Sequence, residues 1–144
     1  MTRTVYLNGD YLPEHEAKVS VFDRGFLMAD GVYEVTSVLD GKLIDFAGHC
    51  VRLARSLGEL EMKNPHTNAE WLAIHRELVA RNGVTEGMVY LQVTRGNPGD
   101  LSQEMLRRGI YQVLALEGGY IAPQAREAVE ALYAKLHVPL EQVI

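Results

Sequence analysis

Residues Gly31–Ile44 read GVYEVTSVLDGKLI. The run Gly31–Leu39 is rich in β-branched and aromatic residues, which favour a pleated strand. It alternates in part, with Val32, Glu34 and Thr36 set against Tyr33, Val35 and Ser37. Asp40-Gly41 is a two-residue turn signal, because both central positions of a type I′ turn need positive φ. Lys42-Leu43-Ile44 then returns, so the segment predicts a β-hairpin and an antiparallel sheet. Upstream, Val5-Tyr6-Leu7, Asn8-Gly9 and Tyr11-Leu12 repeat the pattern as a first hairpin. Between the hairpins, Val19–Asp30 opens with extended character, and Asp23-Arg24-Gly25 reads as a turn.

Downstream the period changes from two to about 3.6 residues. His49–Leu60 predicts a helix with Val51, Leu53, Ala54, Leu57 and Leu60 on its apolar stripe, beginning near Asp45 or Gly48. Asn68 is a candidate N-cap for a second helix carrying Trp71, Ile74, Leu78 and Val79, stopped by Asn82-Gly83. Gly87–Thr94 and Ile110–Leu116 read as two strands able to pair antiparallel, separated by a loop that starts at Arg95. Pro123 fits the first turn of a last helix bearing Ala125, Val129, Leu132, Tyr133 and Leu136, and Pro139 ends it. The expectation is an α+β domain: an antiparallel sheet with hairpins near the N-terminus, two central helices and a C-terminal helix.

The chain has 144 residues, 47% of them apolar and 23% charged, which suits one globular core. Its net charge of −5 argues against a binder of nucleic acid, which needs a basic face. The single cysteine, Cys50, excludes an intrachain disulfide and leans toward a reducing compartment. The N-terminus has no apolar secretory core, and no apolar run nears the ~18 residues of a membrane helix. A soluble, cytoplasmic protein is expected.

Few motifs carry chemistry. His15, His49, His66, His75 and His137 show no metal-ligand spacing, and read as surface or partly buried helix residues. Cys50 beside His49 is not a nucleophile–base pair, since neighbours on a helix diverge by about 100°; it reads as a small core filler. GxSxG, P-loop and GxGxxG patterns are absent. Paired carboxylates such as Glu14/Glu16 and Glu59/Glu61 read as solvated faces.

One extended block says more. Phe22–Glu34 (FDRGFLMADGVYE), the hairpin YLNGDYLP, the H-x-x-R-L pattern of His49, Arg52 and Leu53, HRELVARNG at His75–Gly83 and GMVYLQVTRG at Gly87–Gly96 occur in order. Together they resemble the class-IV, fold-type-IV aminotransferases that use pyridoxal phosphate, and within them the D-amino acid aminotransferases. The resemblance implies a small domain packed beside a larger one, with the cofactor between them, and a homodimer. It implies that Arg52 holds the cofactor phosphate through a permanently charged, bidentate fork. Without it, Arg52 would be an exposed helix arginine. His49, one turn earlier, would steady Arg52. Tyr33 would hold the substrate carboxylate, its rival reading being a sheet-face aromatic, and Val35 would line the substrate pocket. Asp30 and Gly31 would shape the backbone, and Asp23 and Arg24 would form a local pair. Tyr90-Leu91-Gln92, where branched-chain enzymes carry Tyr-x-Arg, favours D-amino acid chemistry with a 2-oxo acid. An activity like that of aminodeoxychorismate lyase, of the same fold, stays open.

The sequence also departs from the pattern. An Arg-x-His clamp for the substrate carboxylate follows the TRG turn in the D-amino acid branch, and here the matching places hold Asp100 and Ser102. Arg107 and Arg108 lie further on and read as loop charge. The chemistry needs a lysine that binds the cofactor aldehyde. Lys18, Lys42, Lys63 and Lys135 match no such position, so no catalytic residue is assigned. The resemblance fades from Ser102. Residues 1–116 are therefore expected to form the class-IV-like small domain, and residues 117–144 a helix and tail that depart from it. Alone, the chain is expected to bind no cofactor and to be inactive. The alternative is a non-catalytic folded or dimerisation module, truncated or engineered.

Overall fold

A computed structural model describes residues 2–97, 110–117, 127–131 and 134. Both hairpins form at the dipeptides that signal them. β1 (Thr4–Leu7) and β2 (Asp10–Pro13) turn at Asn8 and Gly9, with φ of 51° and 108°. β3 (Gly31–Leu39) and β4 (Lys42–Leu43) turn at Asp40 and Gly41, with φ of 50° and 71°. Between them, Asp23 starts a short helix, α1 (Arg24–Met28), by accepting a bond from the Gly25 amide at 2.8 Å. The expected turn is thus the first turn of a helix, because the aspartate caps it. Gly25 has no room for a side chain there, since a Cβ would stand 2.2 Å from Thr94 Cγ2.

Two longer helices follow. α2 (Phe46–Glu59) buries Phe46, Cys50, Leu53 and Leu57, a stripe with steps of four, three and four. Val51, expected on that stripe, is 70% exposed, because it lies about 100° from Cys50 around the axis. Cys50 is a core filler, as its sequence context suggests. α3 (Asn68–Asn82) buries Trp71, Ile74, His75, Leu78 and Val79. Its N-cap is Thr67 rather than Asn68. Thr67 Oγ1 accepts the Glu70 amide, and the Glu70 carboxylate accepts the Thr67 amide, a reciprocal capping box. Gly83 ends α3 at a φ of 62°. His75 corrects the surface reading of the histidines: it is 1% exposed, between Phe46 and Trp71.

β5 (Glu86–Thr94) and β6 (Ile110–Glu117) complete one antiparallel six-stranded sheet of order β2-β1-β6-β5-β3-β4. β3 and β5 pair along their whole length, from Gly31 opposite Thr94 to Leu39 opposite Glu86. α2 and α3 lie on one face of the sheet. There Val38, Val89, Leu91, Val93, Val113 and Tyr6 meet the helix stripes in one core. Each fully buried large apolar side chain contributes roughly 2 kcal/mol by removal from water. The α+β architecture with an antiparallel sheet is the one expected. Residues 127–131 and 134 are helical, within the expected last helix; the rest of Pro123–Leu136 lies outside the described residues. No helix among the described residues is long and apolar enough to cross a membrane.

Candidate active site

The strand period splits β3 into two sets of side chains. Glu34, Thr36 and Val38 are buried toward the helices, whereas Tyr33 is exposed and Val35 half-buried on the opposite face. On that face β5 supplies the neighbours: Gln92 stands opposite Tyr33, and Tyr90 opposite Val35. The Tyr33 and Tyr90 rings stack with centroids 5.7 Å apart and planes 12° from parallel. The Tyr90 hydroxyl donates to Gln92 Oε1 at 3.1 Å. Burial, and then the neighbouring Tyr33, raise the Tyr90 phenol above its ordinary pKa. The result is a rigid aromatic floor whose polar rim is a phenol and an amide.

On the helix side, Glu34 gathers the first turns of α2. Its Oε1 accepts from Arg52 Nε at 2.7 Å, and its Oε2 accepts from Arg52 Nη2 at 2.6 Å and His49 Nδ1 at 2.8 Å. A carboxylate can only accept, so Nδ1 is the protonated nitrogen of His49. Arg52 Nη2 lies 3.4 Å from that same Nδ1, a contact between two donors. The Glu34 side chain is 4% exposed and that of Arg52 55%. Burial alone would raise the Glu34 carboxyl, but the bonds from Arg52 and then His49 outweigh it and hold the group below its ordinary range. In return the Glu34 bond and charge raise the Arg52 guanidinium, and Tyr33 and Asp45 add to this through space.

Of the residues singled out in the sequence, His49 and Arg52 thus meet at one carboxylate, and Tyr33 and Val35 lie on the other face of the strand that carries it. Glu34 has no role in the sequence reading beyond its place in GVYE. Its signal is a carboxylate in register with Thr36 and Val38, which is tolerated inside a fold only when charged partners reach it. His49 and Arg52, at i and i+3 on α2, are those partners.

A second charged cluster fastens the end of this platform. Asp30 Oδ2 accepts from Arg24 Nε at 2.7 Å and from Arg95 Nε at 2.9 Å. The bonds from Arg24 and then Arg95 lower the Asp30 carboxyl. The expected Asp23–Arg24 pair is replaced: Asp23 accepts from Gly25 and, at 2.9 Å, from Thr94 Oγ1, which leaves Arg24 to Asp30. Lys18 and Lys63 lie in loops and Lys42 in β4. Asp100, Ser102, Arg107, Arg108 and Lys135 lie outside the described residues.

Comparison with known proteins gives the family of the chain. The family "Amino-transferase class IV" matches residues 31–129. The chain belongs to the class-IV aminotransferases, a family that depends on pyridoxal phosphate. It is 39% identical over 92 residues to a D-alanine aminotransferase of Staphylococcus haemolyticus, covering 64% of this chain and 33% of that protein. A D-alanine aminotransferase of Listeria monocytogenes is 38% identical, with 64% of this chain and 32% of that protein covered. The chain therefore spans about a third of the length of these relatives. Among solved structures, the branched-chain aminotransferase of the thermophilic archaeon Thermoproteus uzoniensis with norvaline shares the fold at a TM-score of 0.70 and 23% identity, over 83% of this chain and 42% of that one. The Escherichia coli branched-chain enzyme gives 0.72 at 16% identity, over 82% and 42%.

The residues present fit a phosphorylated cofactor. Arg52 is anchored through Nε and Nη2, is largely exposed, and has no hydrogen bond from Nη1 among the described residues. A guanidinium held in this way offers outward donors at fixed geometry to a dianion.

Proposed function

We propose that this chain is the small domain of a cytoplasmic aminotransferase that moves amino groups between D-amino acids and 2-oxo acids. Residues 1–116 make that domain, and residues 117–144 depart from it. The observation that carries the reading is the buried Glu34, which fixes an exposed Arg52 on the helix side of β3, while the stacked Tyr33–Tyr90 pair stands on the other face of the same strand. When bound, pyridoxal phosphate supplies the electron sink that makes the amino acid α-proton removable. Arg52 binds its phosphate. Glu34 and His49 orient Arg52, so that little side-chain freedom is lost on binding. Tyr33 donates a hydrogen bond from its phenol to the substrate carboxylate, and Val35 and Tyr90 bound the pocket. The identity to D-alanine aminotransferases and the Tyr90-Leu91-Gln92 run support the D-amino acid class.

None of the four lysines suits covalent attachment of the cofactor. The chain alone therefore performs no transamination, and what phosphate binding it shows is weak and non-covalent. The test is a ³¹P NMR titration of pyridoxal phosphate with the purified chain. The resonance should shift with the wild type and stop shifting with Arg52→Ala. A shift that survives Arg52→Ala removes Arg52 from the role. A borohydride-stable cofactor–lysine adduct in the mass spectrum would overturn the inactive reading.

A second reading, a module whose task is assembly with another copy, is favoured by a separate observation. Phe22, Phe26, Leu27 and Met28, on and beside α1, are all more than half exposed. An apolar patch of this kind commonly marks a contact surface.

A further inference from the structure

Beneath Glu34 lies a small cavity with about 10 Å³ of space for the centre of a water-sized sphere. Its polar walls are Glu34, Thr36, His49 and His75, and Phe46 and Trp71 are among its apolar ones. Thr36 is 1% exposed, and its Oγ1 is the buried side-chain polar atom left without a partner among the described residues. An unmatched buried hydroxyl of this kind costs about 1–3 kcal/mol, so native structures rarely tolerate one.

The other walls have matching vacant capacity. His75 Nδ1 stands 2.8 Å from the Trp71 carbonyl oxygen, which can only accept, so Nδ1 carries the proton. In the neutral ring Nε2 is then an acceptor, and among the described residues it makes no hydrogen bond. Glu34 accepts three bonds, two at Oε2 and one at Oε1, out of about four lone-pair directions. The cavity thus brings together one hydroxyl donor and two acceptors, around space for one small molecule able to donate twice and accept once. Water does this, and three bonds is the usual number for a buried water.

We propose that a single ordered water fills this cavity, accepting from Thr36 Oγ1 and donating to His75 Nε2 and Glu34 Oε1. It ties the carboxylate that orients Arg52 to the layer between sheet and helices, so that Thr36 and His75 are positioning residues acting through Glu34. The inference needs no cofactor and stands apart from the enzymatic reading.

Two measurements on the full chain test it. The first is direct: a crystal structure at a resolution that shows waters, or water-to-protein cross-relaxation in NMR at Thr36 and His75. Density at this place, or a long-lived water signal there, is expected; the lack of both overturns the proposal whatever the variants do. The second is the sign of a substitution. Thr36→Val keeps the shape and removes the hydroxyl. With the water present, folding should weaken roughly ten- to a hundredfold in equilibrium constant, and Thr36→Ser should restore most of it. Without the water, Thr36→Val removes only an orphaned hydroxyl, and an unchanged or stronger fold would overturn the proposal. A ¹⁵N NMR shift of His75 Nε2 in Thr36→Val would show the water acting at the ring, which a purely local packing defect would leave alone.

Discussion

Tyr33 and Glu34 are neighbours in sequence and do opposite work. The strand sends Tyr33 to the open face, where it stacks on Tyr90, and Glu34 into the helix layer, where it fixes Arg52 and His49. A shift of one residue in the β3 register would exchange them. The same interior holds His75, whose burial pushes its pKa down to about 4, with His49 adding to the fall and the Trp71 carbonyl opposing it. A base with a depressed folded pKa stabilises the fold fully above its unfolded value, here near 6.5. As pH falls from there toward 4, the unfolded chain takes up a proton that the folded chain refuses. Stability should drop by roughly 3 kcal/mol over that window. Glu34, depressed below its ordinary 4.5, adds a further loss below that pH. Urea unfolding between pH 7 and 4.5 should show the decline, and His75→Leu should flatten it. An equal slope in both proteins would remove His75 as its source.

The elements show what local chemistry can announce. Asn8-Gly9 and Asp40-Gly41 were legible because positive φ at two successive residues is a requirement that few residues meet cheaply. The buried stripes of α2 and α3 were largely legible for the same kind of reason, a period imposed by backbone geometry. Two of the failures share a cause as well. Asn68 and the Asp23-Arg24-Gly25 turn each depend on a shift of one or two residues in where a helix starts, which capping groups decide, and Val51 depends on which side of the Cys50–Leu53 stripe faces the sheet. At Thr67 the reciprocal bonds with Glu70 are visible in the sequence as T-x-x-E, and they define the start of α3. Thr67→Ala should cost about 1 kcal/mol in stability, read by thermal or urea unfolding, whereas Asn68→Ala should change it by less than half as much. Equal losses would mean that Asn68 shares the cap. Glu34 escaped a functional reading for a different reason: its partners come from another element, and only the docking of α2 on the sheet brings them together.

At the scale of the molecule, α2 and α3 cover one face of the sheet, Tyr33 is exposed on the other, and α1 and the residues before it carry exposed apolar side chains. Val21, Phe22, Phe26 and Met28 are each between 63% and 74% exposed. Replacing Phe26 and Met28 by serine should leave unfolding free energy within about 0.5 kcal/mol, since neither side chain supports the core. It should also lower binding of an apolar dye and reduce self-association in sedimentation at high concentration. Unchanged sedimentation would count against the assembly reading. The sheet order itself was not legible, because pairing between distant strands leaves no local mark.

That order has a consequence in time. β6, made late, lies between β1, made first, and β5. During synthesis the first hairpin emerges with its inner edge unpaired, and that edge stays open until residues 110–117 have left the ribosome. The sheet closes only by joining segments more than a hundred residues apart, such as Val5 and Leu114. Contacts of that sequence separation close slowly, after loop entropy has been spent. A ribosome stalled so that Thr94 has left the exit tunnel and residue 110 has not would therefore hold a chain with β3, β4 and β5 able to assemble and the N-terminal hairpin still searching, a length at which protease should cut first near the N-terminus.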